Sequence, residues 1–153
     1  MAMASAYFDE SGEFLIFPIS ESDAGAPTEV NEPERLQWDG SSVQELGDKI
    51  LKCLTVSKQR IGPPVGQTPA WKLATGESSW RTFAKTRQYI GVDSDDEAGS
   101  LTIEFWRRNS NFMYSGRIDD PPEWTVTLPL DASAEAVGGA VIQVLRAANV
   151  AGV

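Results

Sequence analysis

The sequence predicts an α+β fold: a mainly antiparallel sheet of about six strands from a duplicated β-β-β-α unit, two longer helices on one face, and a short helix. Three observations lead there. Trp124, Val126, Leu128 and Leu130 alternate with Thr125, Thr127 and Pro129, the period of a strand with one buried face. After Asp131 the period changes, and Val137, Val141, Val144, Leu145 and Ala148 fall on one helical face. The same transition occurs 91 positions earlier, where Ser42 matches Ser133, Leu46 matches Val137, Gly47 matches Gly138, Ile50 matches Val141 and Leu54 matches Leu145. Glycine inside a helix costs about 1 kcal/mol relative to alanine, so a glycine at the same aligned place in both helices argues for a true repeat.

The elements follow in order. Tyr7-Phe8 is a short strand, Asp9 to Gly12 a turn, and Glu13 to Phe17 a second strand with two apolar faces, as a central strand requires. Ser20 to Pro33 is rich in Ser, Asp, Gly, Pro and Glu and reads as a long surface loop. Leu36 and Trp38 belong to a third strand. The first long helix runs from Ser41 to Leu54, with Ser41 or Ser42 as its cap. From Lys58 to Glu77 there is no clean period; Trp71 and Leu73 are expected to tack this connector to the core. Ser78 or Ser79 caps a short helix at Trp80 to Lys85. Then the order repeats: strand Tyr89 to Asp93, acidic turn Ser94 to Gly99, strand Leu101 to Trp106, irregular loop Arg107 to Glu123, strand and final helix. One domain is expected over residues 1–153, with repeat units at 7–57 and 89–148.

Composition narrows the function. The chain has 153 residues, 41% of them hydrophobic, and five tryptophans, enough for a real core and against disorder. Its formal net charge is -9, which disfavours nucleic acid as a direct partner and favours a basic protein. There is no histidine, which removes the Ser-His and Cys-His pairs and the commonest zinc sites. The single cysteine, Cys53, reads as a buried thiol of the first helix. The first residues show no basic, then apolar, leader pattern and no stretch reaches membrane length, so a cytoplasmic protein without membrane contact is expected. No phosphate loop, dinucleotide fingerprint or nucleophile elbow is present, so neither a cofactor nor an enzymatic activity is expected.

Two kinds of residue remain as candidates for binding a partner. One is the acidic clusters, Asp93, Asp95, Asp96 and Glu97 on a hairpin tip, and Asp119, Asp120 and Glu123 before the last strand. They lack the calcium-loop pattern and read as solvated charge that can face a basic surface. The other is Trp106 and the loop after it, which carries Arg107, Arg108, Phe112, Met113 and Tyr114; aromatic, Met and Arg side chains are the types enriched in interface cores. Phe112 and Tyr114 are expected to contact the partner, the alternative being that the loop folds inward and closes the sheet.

At Ser79-Trp-Arg-Thr-Phe-Ala-Lys85, followed by Tyr89-Ile-Gly-Val92, the chain resembles contact-dependent growth inhibition immunity proteins of the CdiI type. The resemblance extends to the strand pair Tyr7 to Phe17 and to Leu128-Pro-Leu-Asp-Ala-Ser-Ala-Glu-Ala-Val-Gly138, and so covers most of the chain. It departs at Arg108 to Trp124, where Phe112-Met-Tyr114 and Asp119-Asp-Pro-Pro122 replace a glycine-rich stretch. The resemblance implies a monomeric cytoplasmic protein that binds one cognate CdiA C-terminal toxin domain, a basic nuclease being the favoured class, and blocks its active site. The competing readings are a generic acidic interaction module or adaptor and a carboxylate-based, metal-assisted hydrolase.

Overall fold

The computed structural model describes residues 1–64 and 66–153. Strand β1 (Ala2–Asp9) forms the middle of the sheet, paired antiparallel with β2 (Glu13–Glu21) on one side and β5 (Arg87–Asp95) on the other. It is longer than Tyr7-Phe8 because the small residues Ala2, Ala4 and Ala6 lie under the helices, where their lack of bulk is tolerated and two neighbouring strands hold the backbone. Beyond β2 lies β4 (Glu34–Gln37); beyond β5 come β6 (Ser100–Arg108) and then β8 (Thr125–Pro129). Two shorter strands extend the same outer edges. β3 (Pro27–Glu29) pairs with the second half of β2, and β7 (Tyr114–Ser115) with the end of β6. The pairing scheme of the first half is therefore met again in the second. The stretch from Ser20 to Pro33 is not one long loop, since β2 runs on to Glu21 and β3 folds back on it.

Helices α1 (Val43–Gln59) and α4 (Ala134–Ala147) lie side by side on one face of the sheet. Their inner stripes, Leu46, Ile50 and Leu54 on one and Val137, Val141 and Leu145 on the other, meet Phe8, Phe14, Ile16, Ile90, Val92 and Ile103 beneath. The helices touch through their glycines. A Cβ on Gly47 would stand 1.7 Å from the Ala134 carbonyl oxygen, and one on Gly138 would stand 1.9 Å from that of Val43. Each glycine thus seats the first residue of the other helix, a reciprocal contact between aligned positions. Cys53 is buried in α1, and burial pushes its thiol up to about 12. Among the described residues no helix is long and apolar enough to cross a membrane.

The helix starts differ between the halves. Ser133 caps α4, its Oγ accepting the Ala136 N–H at 3.1 Å. Ser42 precedes α1 in the same way but makes no side-chain cap. Asp39 Oδ1 gathers the backbone N–H groups of Ser41 and Ser42 and both hydroxyls instead, at 2.7–3.0 Å. The Ser42 hydroxyl and then the Ser41 N–H are the main reasons that its carboxyl is lowered to about 2. A depressed carboxyl stabilises the fold above its unfolded value and loses that contribution as pH falls through the folded one. Asp39→Asn should therefore lower the melting temperature at pH 7 and converge with the wild type near pH 2, which melting curves across that range would check.

The connector packs on the opposite face. α2 (Ala70–Thr75) and α3 (Trp80–Ala84) bring Ala70, Trp71, Trp80 and Phe83 over Tyr7, Leu15 and Phe17, a second apolar cluster. Trp71 anchors the connector as expected, whereas Leu73 points outward and is 57% exposed. Ser79 caps α3 through the Thr82 N–H.

Candidate partner-binding face

On the face opposite the long helices, strand register aligns side chains in rows. One row runs Glu29, Ile19, Met3, Asp93, Thr102, Thr127; the next runs Phe17, Ser5, Gly91, Glu104, Thr125; a third runs Leu15, Tyr7, Tyr89, Trp106. The connector covers the third row. Towards β5, β6 and β8 the first two stay open, with Asp93, Thr125 and Thr127 exposed and Thr102 and Glu104 partly buried. These two rows hold Glu29, Asp93 and Glu104 and no lysine or arginine. Desolvation by the surrounding sheet holds the Asp93 carboxyl above its ordinary value.

Glu29 is the least solvated of the three. Its Oε2 accepts hydrogen bonds from the hydroxyls of Ser5 and of Tyr7, the latter at 2.8 Å. Desolvation raises its carboxyl, and the Ser5 and Tyr7 bonds only partly offset that. The same burial, with Glu29 and Tyr89 nearby, raises Tyr7 well above the ordinary phenol value.

The aromatic loop closes the covered end of this face. Gly91 leaves room for the Trp106 indole, whose Nε1 would lie 3.3 Å from a Cβ there. Tyr114 stacks on Tyr89 with centroids 5.1 Å apart, and its hydroxyl donates to the Arg87 carbonyl at 2.7 Å. Burial carries Tyr114 to about 12. Arg108 donates to the carbonyls of Ala84 and Arg87, so it ties the end of α3 to the sheet. Phe112 sits in the left-handed region at φ 60°, held by Asn109, and its carbonyl accepts from Trp80 Nε1 at 2.7 Å. Its ring lies under the Arg81 guanidinium at 4.8 Å. Phe112 and Tyr114, expected outside the core, both pack against the second apolar cluster, so the loop folds inward. Met113, 53% exposed, and the fully exposed Ile118 are the apolar side chains this loop presents outward.

The two acidic groups lie at opposite ends of β6. Asp95, Asp96 and Glu97 flank the turn before Ser100, whereas Asp119, Asp120 and Glu123 follow Arg108; the strand between these ends spans about 26 Å. Asp95 organises its turn by accepting the N–H groups of Glu97 and Ala98, and Asp96 lies 3.5 Å from Lys58. Asp120 is engaged by the Arg117 N–H at 2.8 Å and by Arg107 at 2.9 Å, which lower its carboxyl. Asp119 and Glu123 remain exposed. Among the described residues no three acidic or cysteine side chains converge as metal ligands would.

No family model matches the chain, and no curated protein matches its sequence. Solved structures do match. A protein of unknown function from Neisseria meningitidis shares 18% identity with a TM-score of 0.68, over 95% of this chain and 94% of that one. A chain of a CdiA-CT/CdiI toxin and immunity complex from Yersinia pseudotuberculosis shares 14% identity with a TM-score of 0.67, over 95% of each. At such identities the likeness is one of fold.

Proposed function

We propose that the protein is an immunity protein of contact-dependent growth inhibition, which binds a cognate CdiA C-terminal toxin domain one to one in the cytoplasm and blocks it. The observation that carries this reading is the fold shared, over nearly the whole of both chains, with a chain of a toxin and immunity complex. The open sheet face supports a basic partner: its two rows present Asp93 and Glu104 and hold no lysine or arginine, on a chain of net charge -9. A nuclease is the toxin class that fits best, because a cleft that binds phosphates must be basic and carboxylates can occupy its phosphate positions. The decisive experiment is coexpression with the C-terminal domain of a large exoprotein encoded immediately upstream. Copurification and rescue of growth are expected; a chain that leaves the toxin active, or that binds several unrelated proteins equally, would favour the adaptor reading.

Charge variants locate the contact. Neutralising Asp93 and Glu104 to Asn and Gln should slow association several-fold at low salt and flatten its salt dependence. The pair Asp119→Asn and Glu123→Gln should have a smaller effect, and changes at Asp95, Asp96 and Glu97 the smallest. Folding should change little, since exposed carboxylates contribute small stability terms and the half-buried Glu104 makes no ion pair among the described residues. Stopped-flow rates that are equal for all variants and the wild type would reduce the acidity to a solubility device.

A further inference from the structure

We propose that the cavity over Glu29 is a receptor for a single arginine side chain of the partner protein. This rests on the immunity reading for the identity of the partner, though the cavity can be tested without it. A cavity of about 390 Å³ opens where β3 meets the connector. Trp71 and Trp80 line it, at 70° to each other with centroids 5.6 Å apart; Pro27 and Pro69 complete the walls, and Met113 stands among the lining residues. The walls are held by the sheet: Thr28 Oγ1 donates to the Pro63 carbonyl at 3.3 Å, and the Gly62 N–H to the Glu21 carbonyl at 2.8 Å.

The polar group among these apolar walls is the Glu29 carboxylate. Its Oε2 is occupied by Ser5 and Tyr7, while among the described residues no donor reaches Oε1. No arginine or lysine of the described residues pairs with it; the eight ion pairs all lie elsewhere. A carboxylate withdrawn from water without a cation is costly, and a cation that enters alongside it relieves that cost. Two tryptophans add a second preference for positive charge, because a guanidinium stacks on an indole face and is more weakly hydrated than an ammonium. A neutral apolar side chain would fill the walls but strip the remaining water from the half-buried carboxylate and leave it unpaired. Carboxylate, indoles and a free oxygen together therefore select a guanidinium, and arginine is one of the side chains enriched in binding hot spots.

The test uses two neutral-ended probes, N-acetyl-argininamide and N-acetyl-norleucinamide, titrated into the ¹⁵N-labelled protein. The indole N–H signals of Trp71 and Trp80 are expected to move saturably with the arginine probe and not with the norleucine probe. Glu29→Gln, whose amide oxygen can still accept from Ser5 and Tyr7, should weaken the arginine response about 10-fold with an unchanged or higher melting temperature. Trp71→Leu should weaken it as well. Equal responses to the two probes, no saturable response, or an unchanged response in Glu29→Gln would overturn the proposal. With the upstream toxin domain, Glu29→Gln should raise Kd about 10-fold or more. Failure of that domain to bind the wild type would sink the immunity reading alone, whereas normal binding of the variant would sink the arginine pocket alone.

Discussion

Gly138→Ala is expected to destabilise the fold by about 3 kcal/mol or more, although alanine is the better helix former. The propensity gain is about 1 kcal/mol and acts in the opposite direction. It is outweighed because the new Cβ would stand 1.9 Å from a backbone oxygen, that of Val43, which has no rotamer by which to move away. The helices would have to separate, and the Leu46, Ile50, Val137 and Val141 contacts beneath them would open. Gly139 provides the control in the same helix turn. Its nearest neighbour would be Val43 Cγ1 at 3.8 Å, ordinary contact, so Gly139→Ala should stabilise by about 0.5–1 kcal/mol. Urea unfolding of the two variants would settle the matter. A stabilised Gly138→Ala protein would mean that the helices do not meet as closely as described.

Arg87→Met should cost a similar amount, about 3–5 kcal/mol, for an electrostatic reason. The Arg87 side chain is 9% exposed and reaches Glu77 at 3.1 Å, Asp9 at 3.5 Å and the Phe83 carbonyl at 3.0 Å, with the Phe83 ring 4.3 Å from its guanidinium carbon. Methionine fills much of the volume but leaves two partly buried carboxylates uncompensated, and Glu77 Oε2 already lacks a partner. Adding Glu77→Leu should recover part of the loss, since removing both members of a buried pair is far milder than removing one. Burial alone would raise the Asp9 carboxyl, but bonds from Ser11 and Thr86 and the charge of Arg87 outweigh it, and the group ends below its ordinary value. Its contribution is then present above that ordinary value and fades as pH falls through the folded one. The acid limb of the stability curve should accordingly be shallower in Arg87→Met. An unchanged urea midpoint would show that the triad is only a surface network.

Periodic elements were legible and aperiodic ones were not. The alternation from Thr125 to Leu128 and the stripes of α1 and α4 announce themselves because one face of each is apolar. The inner stripe of α1 ends in Ser57, whose hydroxyl accepts the Met3 N–H and donates to the Ile19 carbonyl, so an apolar pattern stops short of the helix end. β3 has three residues, too few for any period, and its partner is the far half of β2; Glu29 was hidden with it in a stretch of loop composition. Glu104 could have been found, since the alternation of β6 sets it on the same side as Thr102 and Trp106. The cap of α1 was missed because Asp39 lies before the two serines that have the right spacing. Tyr114 and Arg108 looked like interface residues by type, but type does not tell whether a loop turns back onto its own sheet. The opposite placement of the acidic groups follows from topology, since one precedes and the other follows a nine-residue strand.

The position of β1 at the centre of the sheet has a consequence for synthesis. Its second neighbour, β5, comes from residues up to 92 positions later in the chain. At roughly 5–20 residues per second, β2 is complete about 4–15 s before β5 leaves the ribosome. During that interval the hairpin of β1 and β2 has an open hydrogen-bonding edge, flanked by Phe8 and Tyr7 and without the lysines or prolines that guard natural edges. Successive nascent chains on one message each pass through this interval and expose the same edge. The seam that joins the two halves of the finished protein is thus an aggregation-prone edge of the unfinished one.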